Sequence, residues 1–273
     1  MAKTRLDILL AERGLAESRA QAQRLVMAGQ VRVAGQVALK PGIRVDSDSE
    51  VSVDLGPPFV SRGGEKLQAA LERFGVDPAG RSCADVGAST GGFTDCLLQH
   101  GAVLVYAIDV GQGILHWKLR QDPRVVVMER TNARYLARLP GVVDLVTIDA
   151  SFISLKLLLP VVRGWFELPA SANPSEPIIR GEVVALIKPQ FEAGRRQAAR
   201  AQGVIRDAAI HSQVLREVLS SAIQLGYAVC GLMRSPLLGP KGNVEFLAWL
   251  AYPAEQVADL DTMVIQVLSG DTG

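Results

Sequence analysis

The stretch Cys83-Ala84-Asp85-Val86-Gly87-Ala88-Ser89-Thr90-Gly91-Gly92-Phe93-Thr94 decides the fold: an apolar run breaks into glycines and restarts on an aromatic. It reads as a buried strand, a tight glycine loop and the first turn of a helix. Glycine supplies the positive φ angles of a sharp strand-to-helix turn and leaves backbone bare for a ligand. A small molecule is therefore expected against Gly87, Ser89, Thr90, Gly91, Gly92 and Phe93. The spacing is not the G-x-G-x-x-G of a dinucleotide site, and the Gly-Lys-Ser/Thr of a P-loop is missing. Asp85 is expected at the mouth, where a carboxylate repels a pyrophosphate and attracts a cation. That charge points to S-adenosylmethionine, which carries an amine and a sulfonium.

Downstream, apolar runs alternate with helical patterns, as in a sheet of parallel strands. Val103 to Ile108 is a strand closed by Asp109, about 20 residues past the glycine loop, where ribose hydroxyls are read in such architectures. Val125 to Met128 is the third strand, and Asn132 follows at the level of an adenine. Val142 to Ile148 is the fourth, closed by Asp149, and Val183 to Ile187 the fifth, ended by Lys188-Pro189. Residues 167–181, rich in Pro, Ser and Asn, read as a loop. After a helix over 207–225, strands Tyr227–Met233 and Val244–Tyr252 form an antiparallel hairpin. Glu245, among Val244, Phe246, Leu247 and Trp249, needs a partner or a chemical role.

The chain has 273 residues, enough for one large or two unequal domains. The net charge of +1 hides an asymmetry: residues 1–45 hold eight Lys/Arg against three acids, so the head is basic and the remainder mildly acidic. A basic head suggests a polyanion-binding module. Cys83, Cys96 and Cys230 have neither paired nor metal-ligand spacing, so no metal is expected and a reducing, cytoplasmic compartment is. No run approaches the roughly 20 apolar residues of a membrane span, and the amino terminus lacks a signal-peptide core. No membrane partner is expected, and the oligomeric state is not legible.

In the head, Thr4-x-x-Asp7 and Ser18-x-x-Gln21 read as capping boxes of two short helices that stop at Gly14 and Gly29. Strand-like segments Val31–Val33, Arg44–Val45 and Val51–Val53 follow. Arg5-Leu6-Asp7, Ser18-Arg19 and Ala28-Gly29-Gln30-Val31-Arg32-Val33 resemble the S4 RNA-binding domain. That resemblance implies a grip on folded RNA through shape and phosphate contacts; Arg19 and Arg24, off the apolar face of the second helix, Lys40 and Arg44 of the following loop, and Arg5 are the expected contacting residues. Acids at 46, 48, 50 and 54 and then Gly56-Pro57-Pro58 mark the join. The expected division is residues 1–54, a linker over 55–60, and a second domain over 61–273.

Lys66, Asp149, Lys188 and Glu245 come from four distant places, yet Asp149 and Lys188 share the carboxyl-end rim with the glycine loop. Two lysines and two carboxylates beside a sulfonium have a chemical use. A ribose 2′-hydroxyl is a poor nucleophile, so methyl transfer to it benefits from a base and from stabilisation of the developing alkoxide. Lys188 is the expected base with Asp149 orienting it, and Lys66 and Glu245 position the ribose and tune the charge. A stacking surface for the base is expected from Phe152 or Phe191.

The stretches around these four residues, Ser61-Arg62-Gly63-Gly64-Glu65-Lys66-Leu67, Asp149-Ala150-Ser151-Phe152-Ile153-Ser154, Ile187-Lys188-Pro189-Gln190-Phe191-Glu192 and Gly242-Asn243-Val244-Glu245-Phe246-Leu247, resemble the tetrad motifs of FtsJ/RrmJ-like 2′-O-methyltransferases. With the S4-like head, the chain is similar to the TlyA, or haemolysin A, family of ribosomal RNA cytidine-2′-O-methyltransferases. The resemblance implies an α/β class I S-adenosylmethionine-dependent methyltransferase domain, Rossmann-like, with a seven-stranded mostly parallel sheet and an antiparallel last strand, behind a small α+β S4 domain. It further implies methylation of a cytidine in ribosomal RNA (16S and/or 23S), within ribosomal subunits. The competing readings are a membrane-lytic protein, which needs an amphipathic or spanning element, and a non-catalytic RNA-binding ribosome assembly factor, for which the four-residue cluster would be idle.

Overall fold

The computed structural model describes residues 3–54, 56–166, 181–194, 203–254 and 259–270. Its contacts divide the chain into two units, Met1–Pro58 and Phe59–Gly273. Most of the Pro/Ser/Asn-rich stretch read as a loop lies outside the described residues.

The first unit has strand β1 (Lys3–Arg5), helices α1 (Leu6–Glu12) and α2 (Arg19–Met27), and strands β2 (Val31–Val33), β3 (Gln36–Ala38), β4 (Arg44–Asp46) and β5 (Val51–Val53). β1 pairs with β4, and β2 sits between β3 and β5, all antiparallel. Leu6, Leu9 and Leu10 of α1 meet Ala22, Leu25 and Val26 of α2 in a common core with Val31 and Val45. Ser18 caps α2 as expected, accepting from Gln21 N. The first capping box does not form. Thr4 lies in β1, Arg5 precedes α1 with no side-chain cap, and Asp7 points inward. Its fully buried carboxylate accepts from Arg5 Nε and Nη2, Arg19 Nε and Gln23 Nε2 at 2.8–3.0 Å. Those bonds, led by Arg5, hold the Asp7 carboxyl well below the usual carboxylate range despite its burial.

The second unit opens with Phe59, whose ring packs where a Cβ on Gly64 would stand, 2.3 Å from that ring's Cγ. Then come α3 (Gly63–Phe74), β6 (Ser82–Val86), α4 (Gly92–Gln99), β7 (Leu104–Ile108), α5 (Trp117–Arg120), β8 (Val125–Met128), β9 (Leu145–Ile148), α6 (Leu155–Phe166), β10 (Gly181–Ile187), α7 (Pro189–Glu192), α8 (Ala208–Gln224), β11 (Ala228–Arg234), β12 (Phe246–Tyr252) and α9 (Leu260–Ser269). Among the described residues, seven strands form one sheet in the order β11-β12-β10-β9-β6-β7-β8. β10, β9, β6, β7 and β8 are parallel, and β12 runs antiparallel between β10 and β11. The last strand is thus inserted, as the hairpin reading anticipated.

Side chains of the parallel strands alternate between two cores, the period-2 signature of a sheet covered on both faces. Ala84, Val86, Tyr106, Ile108, Val146 and Ile148 join α6 and α8, whereas Cys83, Val105, Ala107 and Leu145 join α3 and α4. Chain order runs from β6 outward to β8, then returns to β9 on the other side of β6. That reversal is the topological switch point, and ligands of open α/β sheets bind in the crevice at its carboxyl end.

The glycine loop that ends β6 is held from outside by Leu115 and α5. Gly91 has φ +98°, and a Cβ there would lie 2.1 Å from Leu119 Cδ1 and 2.9 Å from Leu115 Cδ1. Gly91→Ala adds backbone strain and overpacking, expected to cost about 2–4 kcal/mol. The measurement is the urea unfolding midpoint; an unchanged midpoint would mean that the two leucines move aside freely.

Candidate functional site

At the switch point the backbone of β6 turns out of the sheet without a Cβ to obstruct it. Gly87 has φ +86°, and a Cβ there would lie 2.6 Å from the Asp149 carbonyl oxygen at the end of β9. Gly87 N and Ala88 N both donate to Ile108 O, at 2.9 and 3.1 Å, and His116 N donates to Thr90 O at 3.1 Å. The loop is therefore fastened to β7 and to the segment after it. Gly92 begins α4 against the start of α3: a Cβ at 92 would lie 2.4 Å from Ser61 Oγ and 2.8 Å from Gly64 N. This glycine-to-glycine contact is what brings Lys66, one turn into α3, beside the loop.

Two adjoining cavities open here, of about 390 and 300 Å³, sharing Gly87, Ser89 and Asp149 as a common wall. The larger runs between Arg62, Lys66, Thr90, Gly92 and Phe93 on one side and Leu238 on the other. The smaller is walled by Val86, Ile108, Ala133, Ile153 and Leu158, with Asp109, Thr131, Asn132 and Ser151 among its polar residues. Asp109 lies one residue past β7; its carboxylate accepts from Ser89 N at 2.8 Å and Gly111 N at 2.7 Å, which joins the two loops. Asn132 caps a short turn by accepting from Arg134 N.

Two sequence-derived cofactor residues stand elsewhere. Gly91 lines neither cavity and is there to admit the two leucines. Asp85 is not at the mouth: it is 0% exposed, within β6 rather than beyond it, and on the face toward α4. Its carboxylate accepts from Thr94 Oγ1 at 2.6 Å and from Thr147 Oγ1 at 3.3 Å. It therefore ties the helix after the loop to the strand before it, from below.

The four charged residues assemble as two ion pairs. Lys66 Nζ lies 2.6 Å from Glu245 Oε2, and Lys188 Nζ lies 2.6 Å from Asp149 Oδ1. Glu245 directly precedes β12 rather than lying inside it, and its carboxylate is buried. Sequence reasoning missed three supporting groups in the motifs it quoted. Ser151 Oγ accepts from Lys188 Nζ at 3.0 Å, and Gln190 Nε2 donates to Glu245 Oε1 at 3.2 Å. Glu192 accepts from Ser154 Oγ at 2.5 Å and from Leu155 N at 2.7 Å, and burial raises its carboxyl above the ordinary value. Phe152, 90% exposed and at φ +64°, faces Phe191 with ring centroids 4.8 Å apart, and Lys188 Nζ stands 5.8 Å from the Phe191 ring.

In the first unit, Arg5 and Arg19 are pinned by Asp7 while part of each side chain remains exposed, and Arg24, Lys40 and Arg44 are exposed. Among the described residues, no group of three or more His, Cys, Asp and Glu side chains could hold a metal ion, and no helix is long and apolar enough to cross a membrane.

The FtsJ-like methyltransferase family model matches residues 59–252, and the S4 domain model matches residues 4–51. The chain is 48% identical to a candidate rRNA methyltransferase, YqxC, of Bacillus subtilis, over 93% of its own length and 87% of that protein's. It is 46% identical to the 16S/23S rRNA (cytidine-2′-O)-methyltransferase TlyA of Mycobacterium tuberculosis, over 91% and 90%. Among solved structures, a candidate hemolysin from Streptococcus thermophilus superposes with a TM-score of 0.70 at 43% identity, covering 99% of this chain and 96% of that one. The chain belongs to the FtsJ-like methyltransferase family and carries an S4 domain ahead of the methyltransferase domain.

Burial beneath the loop pushes the Asp85 carboxyl up to about 7, with the Thr94 hydroxyl opposing and the Asp149 charge adding to the rise. The unfolded chain gives up that proton near pH 4, so between about 4 and about 7 the folded state binds the extra proton and stability falls as pH rises. Asp85→Asn keeps an acceptor for Thr94 and removes the titration. Its Tm relative to the wild type is expected to rise from about pH 5 to about pH 8. A difference that stays constant across that range would mean that Asp85 is ionised throughout.

Proposed function

We propose that this member of the FtsJ-like methyltransferase family transfers a methyl group from S-adenosylmethionine to the ribose 2′-hydroxyl of a cytidine in ribosomal RNA. The observation that carries the reading is the pair of lysine–carboxylate contacts at the rim of the glycine-loop cavities. The same site would suit neither phosphate transfer nor hydride transfer, since its loop lacks a lysine and its spacing is not that of a dinucleotide fold. The names of the two relatives support ribosomal RNA as the substrate, and the TlyA name supports a cytidine.

The cavities suit the cofactor on their own chemistry. The smaller one joins apolar walls to Asp109 and Asn132, as an adenosine needs, and the larger runs from the bare backbone at Gly87 toward Lys66. S-adenosylmethionine supplies an electrophilic methyl on a sulfonium, and the residues of this chain do the rest. Lys188, fixed by Asp149 and Ser151, is the residue placed to take the 2′-hydroxyl proton. Bound S-adenosylmethionine would pass its methyl to that oxygen and leave as the neutral thioether. Lys66, fixed by Glu245, lies where an ammonium stabilises the developing negative charge. Phe152 offers its face to a base turned out of the RNA.

The first unit then holds the RNA by its phosphates through Arg5, Arg19, Arg24, Lys40 and Arg44, with ribosomal subunits as the partner. Three free cysteines fit the reducing cytoplasm where such subunits are.

The test is transfer of labelled methyl to ribosomal subunits, followed by mapping of 2′-O-methyl positions. Lys66→Ala, Asp149→Ala and Lys188→Ala are each expected to lose about 100-fold or more in rate; full activity in all three would sink the reading. Deleting residues 1–54 is expected to weaken RNA binding and flatten its salt dependence while cofactor affinity is kept. Loss of both together would instead make the head a part of the fold.

A further inference from the structure

The turn Pro189–Glu192 touches both ion pairs. Lys188, just before it, is held by Asp149 and Ser151. Two residues on, Gln190 Nε2 donates to Glu245 Oε1 at 3.2 Å, while Glu245 Oε2 receives Lys66 Nζ. Each oxygen of that buried carboxylate therefore has a donor. Gly239 also closes over it, so tightly that a Cβ there would lie 2.4 Å from Oε1.

The other end of the Gln190 amide is anomalous. Its Oε1 is buried and has no hydrogen-bond partner among the described residues. Such an orphan acceptor costs free energy and calls for a reason. Glu245 supplies one: turning the amide over would set its oxygen against a carboxylate oxygen and strand the NH2 group. The amide is oriented by what its neighbour requires.

We infer that Gln190 is a positioning residue that fixes the Lys66–Glu245 pair relative to Lys188, and this rests on the 2′-O-methyltransferase reading above. The proline ring of Pro189 fixes φ at the start of the turn. Phe191 N and Glu192 N both donate to Lys188 O, at 2.9 and 3.3 Å. A short closed turn therefore sets the spacing between Lys188 and Gln190. Rotation of the Glu245 carboxylate would redirect Lys66, and the bond from Gln190 opposes that rotation. Gln190 lines neither cavity, so its loss acts through Glu245 and spares cofactor binding.

The experiment assays the full-length wild type, Gln190→Met and Gln190→Asn side by side with S-adenosylmethionine and ribosomal subunits, with Tm measured for each. Gln190→Met keeps the length and removes the donor. It is expected to lower kcat about tenfold, with KM for S-adenosylmethionine within about twofold and Tm unmoved. Gln190→Asn, an amide one carbon too short, is expected to show the same pattern, which separates loss of the bond from the placing of an apolar chain. Wild-type kcat in Gln190→Met, or a loss that follows a falling Tm or a rising KM, overturns the inference alone. An inactive wild type overturns the functional reading and the inference with it.

Discussion

Backbone contact between Gly87 and the end of β9 is the constraint on which the site depends. The loop backbone comes so close to the Asp149 carbonyl that no side chain fits between them. Gly87, one of the three residues in the shared wall of both cavities, is thereby placed against Asp149, which holds Lys188. Cofactor cavity and ion pair are not two features that happen to be near. They are the two sides of one glycine, at the point where the strand order reverses. The rest of the loop follows from holding that contact: Asp109 takes Ser89 N from one side, Thr94 reaches down to Asp85 from the other, and Leu115 and Leu119 press on Gly91.

The two ion pairs are poor candidates for stabilisers. Removing two charges from water costs several kcal/mol per ion, and well-packed hydrocarbon in their place is often as stable. Glu245 is nonetheless fully enclosed and Lys66 and Lys188 nearly so, each with its partner at 2.6 Å. Pairing lets the protein keep two ammonium groups beside a cavity intended for a cationic ligand without a large net positive field. The carboxylates also set the direction of each ammonium, which a lone lysine on a flexible stem would not keep.

Much of this was legible in the sequence for definite reasons. Glycines between an apolar run and an aromatic admit few structures, and apolar runs each closed by one charged residue mark strand ends. Asp109 and Asp149 each lie one residue past their strands, at the rim where the sequence put them. Asp85 looked equivalent but is the penultimate residue of β6, opposite Thr147 in the register, so it is inside the sheet. A strand's last residue is set by pairing with its neighbours, and that is not local information. The failed capping box has the same origin. Thr4 is taken into a strand by Val45, forty-one residues away, and Asp7 is claimed by Arg19 and Gln23 from the next helix. Gln190 stood in a quoted motif, but its importance appears only when Glu245 is brought beside it by the inserted strand.

The turn at Lys188 also explains how an exposed aromatic can be held accurately. Phe152 is in a left-handed conformation that a bulky residue seldom adopts. The loop that carries it is fixed on both sides: Ser151 accepts from Lys188, and Ser154 donates to Glu192 four residues further along the same turn. Only Phe152 and Ile153 lie between the two fixed points. The Phe191 ring, from that turn as well, backs the Phe152 ring. The exposed aromatic face is therefore referenced to Lys188 through contacts a few ångströms long. A flat ligand group laid on Phe152 would be located relative to the lysine nitrogen by the same turn that locates the nitrogen itself.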